Sequence, residues 1–143
     1  MRNAFSLFEL LIVIVIISFL SIFIIQKSEN TIEFANKTKI KSEIALIRSE
    51  ISKNKTSNIL LNQDLTQYLD DEDIEKENSK LFNKILDFPL LSTTSLKKEI
   101  GKWIKSSKNT YKVFLSHKQS IEYKFEDNSF ICKSELSICK EFE

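Results

Sequence analysis

Residues 5–25 form an almost unbroken apolar run, preceded by a short polar start, Met1-Arg2-Asn3-Ala4, and interrupted near its beginning by one acid, Glu9. As a helix at 1.5 Å per residue the run would be about 31 Å long, which matches the roughly 30 Å hydrocarbon core of a bilayer. It contains neither Gly nor Pro. The β-branched stretch Ile12-Val13-Ile14-Val15-Ile16-Ile17 would read as a buried strand if it stood alone. At this length only a helix satisfies its own backbone in lipid. A secretory signal peptide needs a shorter apolar region followed by a small-residue cleavage site, and Ile24-Ile25-Gln26-Lys27-Ser28 offers none. A charged residue at the centre of such a helix costs about 2.5–3.5 kcal/mol on insertion scales, so Glu9 calls for a compensating partner.

The stretch from Ala4 through Phe5-Ser6-Leu7-Phe8-Glu9 to Ile17 closely resembles the prepilin motif of type IV pilins and type II secretion pseudopilins. In that family a short basic leader is cut just before an aromatic residue, and a carboxylate lies fifth in the mature chain. The resemblance places the cut between Ala4 and Phe5, makes Phe5 the N-methylated residue and makes Glu9 the assembly acid. It implies that Glu9 of an incoming subunit meets the Phe5 amine of a neighbour. Opposite charges attract strongly in a medium poorer than water, and the pairing would fix the stagger of one helix on the next. Ala4 stands where a glycine is usual, and Ser18 and Gln26 stand where many members carry a helix-breaking glycine and proline. The helix is therefore expected to be straighter than theirs. Arg2 precedes the run, while Lys27 and many later lysines follow it, so the positive-inside count decides little. The motif implies a cytoplasmic N-terminus and a periplasmic head, anchored singly in the inner membrane and later packed in a filament.

Composition bounds the remainder. The chain has 143 residues, enough for one domain beyond the anchor, and a formal net charge of +1, which gives no strong pull toward nucleic acid. One Gly and one Pro leave little room for a flexible linker or many tight turns. The two cysteines, Cys132 and Cys139, can pair as a disulfide in an oxidising compartment. Two reduced core thiols or metal ligands are the other readings, and a lone C-x6-C without a nearby His is a poor zinc signal.

After the anchor, Ile40, Ile44, Ile47 and Ile51 repeat at helical spacing, and Ile32 and Ala35 extend the stripe backward. No Gly or Pro interrupts residues 5–54. The expectation is one continuous helix with an apolar first half and an amphipathic half over 28–54. The polar residues 54–58 read as its end. Region 59–105 is expected to be a helical linker, with a short helix over 59–69 and an amphipathic one at Leu81-Phe82-Ile85-Leu86, ended by Phe88-Pro89. The acidic run Asp70-Asp71-Glu72-Asp73 reads as a solvated helix lead-in. A calcium loop is the rival, but the run lacks the Gly and the ligand spacing of one.

Segments 111–116, 121–126 and 130–133 have strand composition and much period-2 alternation, separated by polar turns, which predicts a three-strand antiparallel meander over 111–133 followed by a C-terminal Cys loop. Trp103 is expected to pack under the sheet and join it to the long helix. The fold class is thus α+β: a long N-terminal helix on a small antiparallel sheet, as in pilin heads. His117, the single histidine, falls in a predicted hairpin turn. No nucleophile elbow, phosphate loop or zincin motif is present, so neither an enzyme nor a bound metal or cofactor is expected.

The expected function is a pseudopilin of type II secretion, with leader 1–4, assembly segment 5–25 and head 26–143. The short head suits such a subunit. The alternatives are a minor type IV pilin or a DNA-uptake pseudopilin, then an unrelated single-pass anchored protein. Retention of Glu9 argues against tip subunits that lack the acid. Expected partners are other pilin-type subunits, a prepilin peptidase, an inner-membrane platform and membrane lipid. A DNA-contacting head would use Lys112, Tyr123 and Lys124.

Overall fold

A computed structural model describes the backbone of residues 7–143 and the side chains of 7–22 and 33–143. The fold is α+β. The long helix α1 (Leu7–Leu60) is followed by a two-stranded antiparallel ribbon, β1 (Lys80–Leu81) with β2 (Leu90–Leu91). Then comes a four-stranded antiparallel sheet in the order β3 (Trp103–Ser107), β4 (Thr110–Phe114), β5 (Ser120–Glu126) and β6 (Ser129–Cys132). A short helix, α2 (Leu136–Phe142), closes the described chain. The chain divides into two compact units, Met1–Ala35 and Asn36–Glu143.

Within the second unit, the helical stripe lies where its spacing predicts. Ile40, Ile44, Ile47 and Ile51 are buried, and they share one core with sheet residues Trp103, Tyr111, Val113, Ile121, Tyr123, Phe125 and Phe130. Burying an Ile side chain contributes roughly 1.5–3 kcal/mol, so the stripe is a main source of the head's stability. Strand β5 alternates strictly: Ile121, Tyr123 and Phe125 point into the core while Glu122, Lys124 and Glu126 face outward. Asp127 and Asn128 form the β5–β6 turn, both with positive φ (51° and 54°). Two left-handed residues in a two-residue loop twist the way the strands do, which sets the register.

Four expectations about the elements are corrected. The helix does not end over 54–58; it runs on to Leu60. The polar residues there fasten the chain instead. Asn54 Oδ1 accepts hydrogen bonds from Asn58 Nδ2 (3.1 Å) and Thr66 Oγ1 (2.5 Å), and Asn58 Nδ2 also donates to the Asp64 carbonyl (3.0 Å). The true stop is Asn62, at φ 52°. The Gln63 N–H bonds the Asn58 carbonyl and the Asn62 N–H bonds the Ile59 carbonyl, which is a Schellman closure.

Region 59–105 is not a helical linker. Between Leu60 and Leu136 the described chain carries strands and turns but no helix. At Leu81-Phe82-Ile85-Leu86 the chain makes a single turn, closed by Leu86 N–H to the Phe82 carbonyl. Phe82 itself is left-handed (φ 62°), and its N–H is held by the Asp70 carboxylate at 3.1 Å. A bulky residue adopts that conformation only when its surroundings impose it. Finally, the sheet has a fourth strand, β3, and the C-terminal loop contains α2.

Candidate assembly surface and the head contacts

Ala4 and Phe5, the expected cleavage and methylation site, lie outside the described residues. Glu9 lies on α1, near the start of its described part. Every residue of 7–22 is exposed, and the apolar ones occupy all sides of the helix, Leu7, Phe8 and Phe19 among them. The stretch has few polar side chains, and two of them return their hydrogen bonds to the helix: Ser18 Oγ donates to the Ile14 carbonyl and Ser21 Oγ to the Ile17 carbonyl, each at 2.8 Å. No helix among the described residues is long and apolar enough to cross a membrane. The fully described part of the apolar run, 7–22, is shorter than the 5–25 run of the sequence.

In the head, Trp103 does not pack under the sheet but opens β3 within it, and from there it makes the join to the helix. Its ring is buried, and Nε1 donates to Glu43 Oε2 on α1 at 2.8 Å. Around it lies an aromatic cluster: Phe82 meets Trp103 edge-on at 5.7 Å, and Tyr123 stacks on Phe130 at 4.9 Å. Such pairs add about 0.5–1.5 kcal/mol beyond their area. Gly101 (φ 75°) brings its carbonyl to Lys39 Nζ at 3.0 Å, a second tie to the helix.

The acidic run divides. Asp70 is no solvated lead-in: it is 2% exposed and forms a buried ion pair with Lys105 on β3, Oδ1 to Nζ 2.6 Å. Its oxygens also accept the N–H groups of Glu72 and Phe82, and Lys105 Nζ donates in addition to the Glu72 carbonyl. Satisfying both charges this fully is what makes the pair tolerable, since removing one member of a buried pair costs about 3–5 kcal/mol. The Asp71 and Asp73 carboxylates instead pair with Lys84 and Lys76 at the surface. Among the described residues no group of three or more His, Cys, Asp or Glu is placed to hold a metal ion.

Cys132 and Cys139 form a disulfide, with their Cα atoms 5.9 Å apart, and it ties α2 to β6. His117 lies exposed between β4 and β5. The three residues considered for DNA do not form a basic aromatic platform. Tyr123 is fully buried, and the outward-facing Lys112 and Lys124 pair with Glu122 (3.0 Å) and Glu126 (3.1 Å).

Nothing in the linear order of residues points to Asp70–Lys105, to Glu43 as a partner of Trp103, or to Arg48. Arg48 Nε donates to the Phe130 carbonyl at 3.2 Å, and its guanidinium lies 5.8 Å from the Tyr123 ring centre. These links join residues far apart in the chain, and no local pattern encodes them. Comparison with models of known protein families, with curated proteins and with solved structures returned no match.

Proposed function

We propose that the chain is a subunit of a type IV pilin-like filament, and in particular a pseudopilin of a type II secretion system. It is made as a precursor, cut between Ala4 and Phe5 by a prepilin peptidase, N-methylated at Phe5 and polymerised from the inner membrane into the periplasm. The observation that carries this reading is the position of Glu9. It stands fifth from the expected new N-terminus, at the head of an apolar run 5–25 long enough for a bilayer core. An acid there is expensive unless an ammonium meets it, and the methylated amine of Phe5 in a neighbouring subunit supplies one.

Two further features support the reading. A helix that is apolar on all sides needs lipid or other helices around it, and 7–22 is such a helix. The head supplies an amphipathic helix under a small antiparallel sheet, with a disulfide suited to an oxidising compartment. A head built to grip DNA draws less support, because Tyr123 is inside the core and Lys112 and Lys124 are paired with acids.

The test is mass spectrometry of the mature protein from cells in which it functions. The expected N-terminal peptide begins at Phe5 and carries one methyl group. A working protein that retains Met1-Arg2-Asn3-Ala4 would overturn the proposal.

A further inference from the structure

We propose that the Cys132–Cys139 disulfide is a redox latch on the C-terminal helix: oxidised, it holds α2 against the head, and reduced, it releases residues 135–143 while the sheet and the rest of its core stay folded. This does not depend on filament assembly, since it uses contacts within the head alone.

Helix α2 is poorly equipped to stay in place without the bond. It is seven residues long, well below the roughly 12–15 at which an isolated helix becomes even marginal in water. Glu135 at its start makes no side-chain cap hydrogen bond. Its anchorage is Phe142, buried in the core, with Ile138 partly buried and Lys41 Nζ 5.9 Å from the Phe142 ring centre. Two ion pairs reach α1, Lys37–Glu141 (3.1 Å) and Arg48–Glu143 (3.4 Å). All four of these side chains are at least a third exposed, and pairs that wet contribute little.

Apart from Phe142, and Ile138 packed beside it, the core of the head is built from residues outside α2. The stripe Ile40, Ile44, Ile47 and Ile51 and the cluster Phe82, Trp103, Tyr111, Tyr123 and Phe130 all lie before Cys132 and pack on one another. The last paired residue of the four-stranded ladder is Cys132, and just beyond it Lys133 N–H donates to the Glu122 carbonyl and Ser134 Oγ accepts the Glu122 N–H, each at 2.8 Å, so the sheet's hold on the chain ends at Ser134. Reduction is a two-electron step. A dithiol delivers two electrons and two protons to the S–S bond, leaving thiols at Cys132 and Cys139, and itself closes to a disulfide. On release, α1 exchanges Glu141, Phe142 and Glu143 for water, so the face carrying Lys37, Lys41 and Arg48 becomes more basic. The latch therefore sets both the order of the C-terminus and the charge of that face.

Bridging two cysteines seven apart in sequence removes enough chain entropy to shift a local opening equilibrium by roughly 10- to 100-fold. Hydrogen–deuterium exchange on the full chain, oxidised, reduced with dithiothreitol, and as the C132S/C139S variant, reads this directly. Amides of 135–143, such as Cys139 N–H on the Glu135 carbonyl, should exchange about 10- to 100-fold faster in the reduced and variant forms, with β3–β6 still protected. Reoxidation of the natural chain should restore them. Unchanged protection in α2 would show that packing alone holds it, and loss of protection in the sheet as well would show that the bond holds the whole head. Either result overturns the proposal.

Discussion

Tyr111 and Tyr123 show how burial at a single residue becomes a property of the head. Burial pushes both phenols above their ordinary value, and the Asp70 carboxylate beside Tyr111 pushes it further. In the unfolded chain tyrosines ionise near pH 10, whereas in the folded head these two keep their protons. Above about pH 10 the unfolded state therefore binds fewer protons, and stability falls as pH rises, by up to roughly 1.4 kcal/mol per pH unit for each buried tyrosine. Below that pH the contribution is constant. Tyr111→Phe should make this alkaline loss shallower, read as the difference in urea midpoints between variant and natural chain from pH 8 to 11. Parallel losses in the two proteins would contradict it. Asp70 and Lys105 belong to the same scale: sequence places them 35 residues apart, and only the folded chain makes them partners.

At the scale of elements, Asn62 decides where α1 stops. A left-handed φ costs an ordinary L-residue about 1–2 kcal/mol, and Asn tolerates it better because its side chain bonds locally. Asn62→Ala should lower the urea-unfolding free energy by about 1 kcal/mol, while Asn62→Gly should match or exceed the natural chain. Equal stability of the Ala and Gly variants would show that the closure does not depend on this conformation. Elements were legible where the pattern was long. The Ile40–Ile51 stripe spans several turns, and β5 alternates over its full length. Legibility failed where the pattern was short. Four apolar residues over 81–86 fit a helix by spacing, yet the Asp70 carboxylate takes the Phe82 N–H and turns the backbone left-handed. Strand β3 was missed because Trp103-Ile104-Lys105 buries three consecutive residues and shows no alternation. The seven residues of α2 are too few for periodicity to show, so their pattern suggests only a loop.

For the whole molecule, the sequence carries the assembly reading almost alone. Glu9 and the apolar run are readable without any structure, while Ala4 and Phe5 lie outside the described residues. The proposed role of Glu9 is intermolecular, so its loss should spare the head. Glu9→Ala should leave the thermal unfolding of the head unchanged and reduce filament assembly in cells at least tenfold, measured by shearing and immunoblotting. Normal filaments from that variant would remove the pairing from the account. The head has its own constraint in Gly101, the chain's single glycine. Its φ is 75°, and an added Cβ would come to 3.4 Å from Asn36 Oδ1, beside the carbonyl that Lys39 holds. Seven other described residues bear positive φ with a side chain attached, so the chain elsewhere meets its awkward corners with Asn, Asp, Lys, Glu and Phe. Mutational drift thus has many routes through those seven corners, and glycine itself is an acceptable exchange at the exposed ones. At 101 the obstacle is the backbone rather than bulk: an added Cβ would sit at about contact distance from Asn36, but a φ of 75° strains any side chain placed where the sheet is moored to the helix.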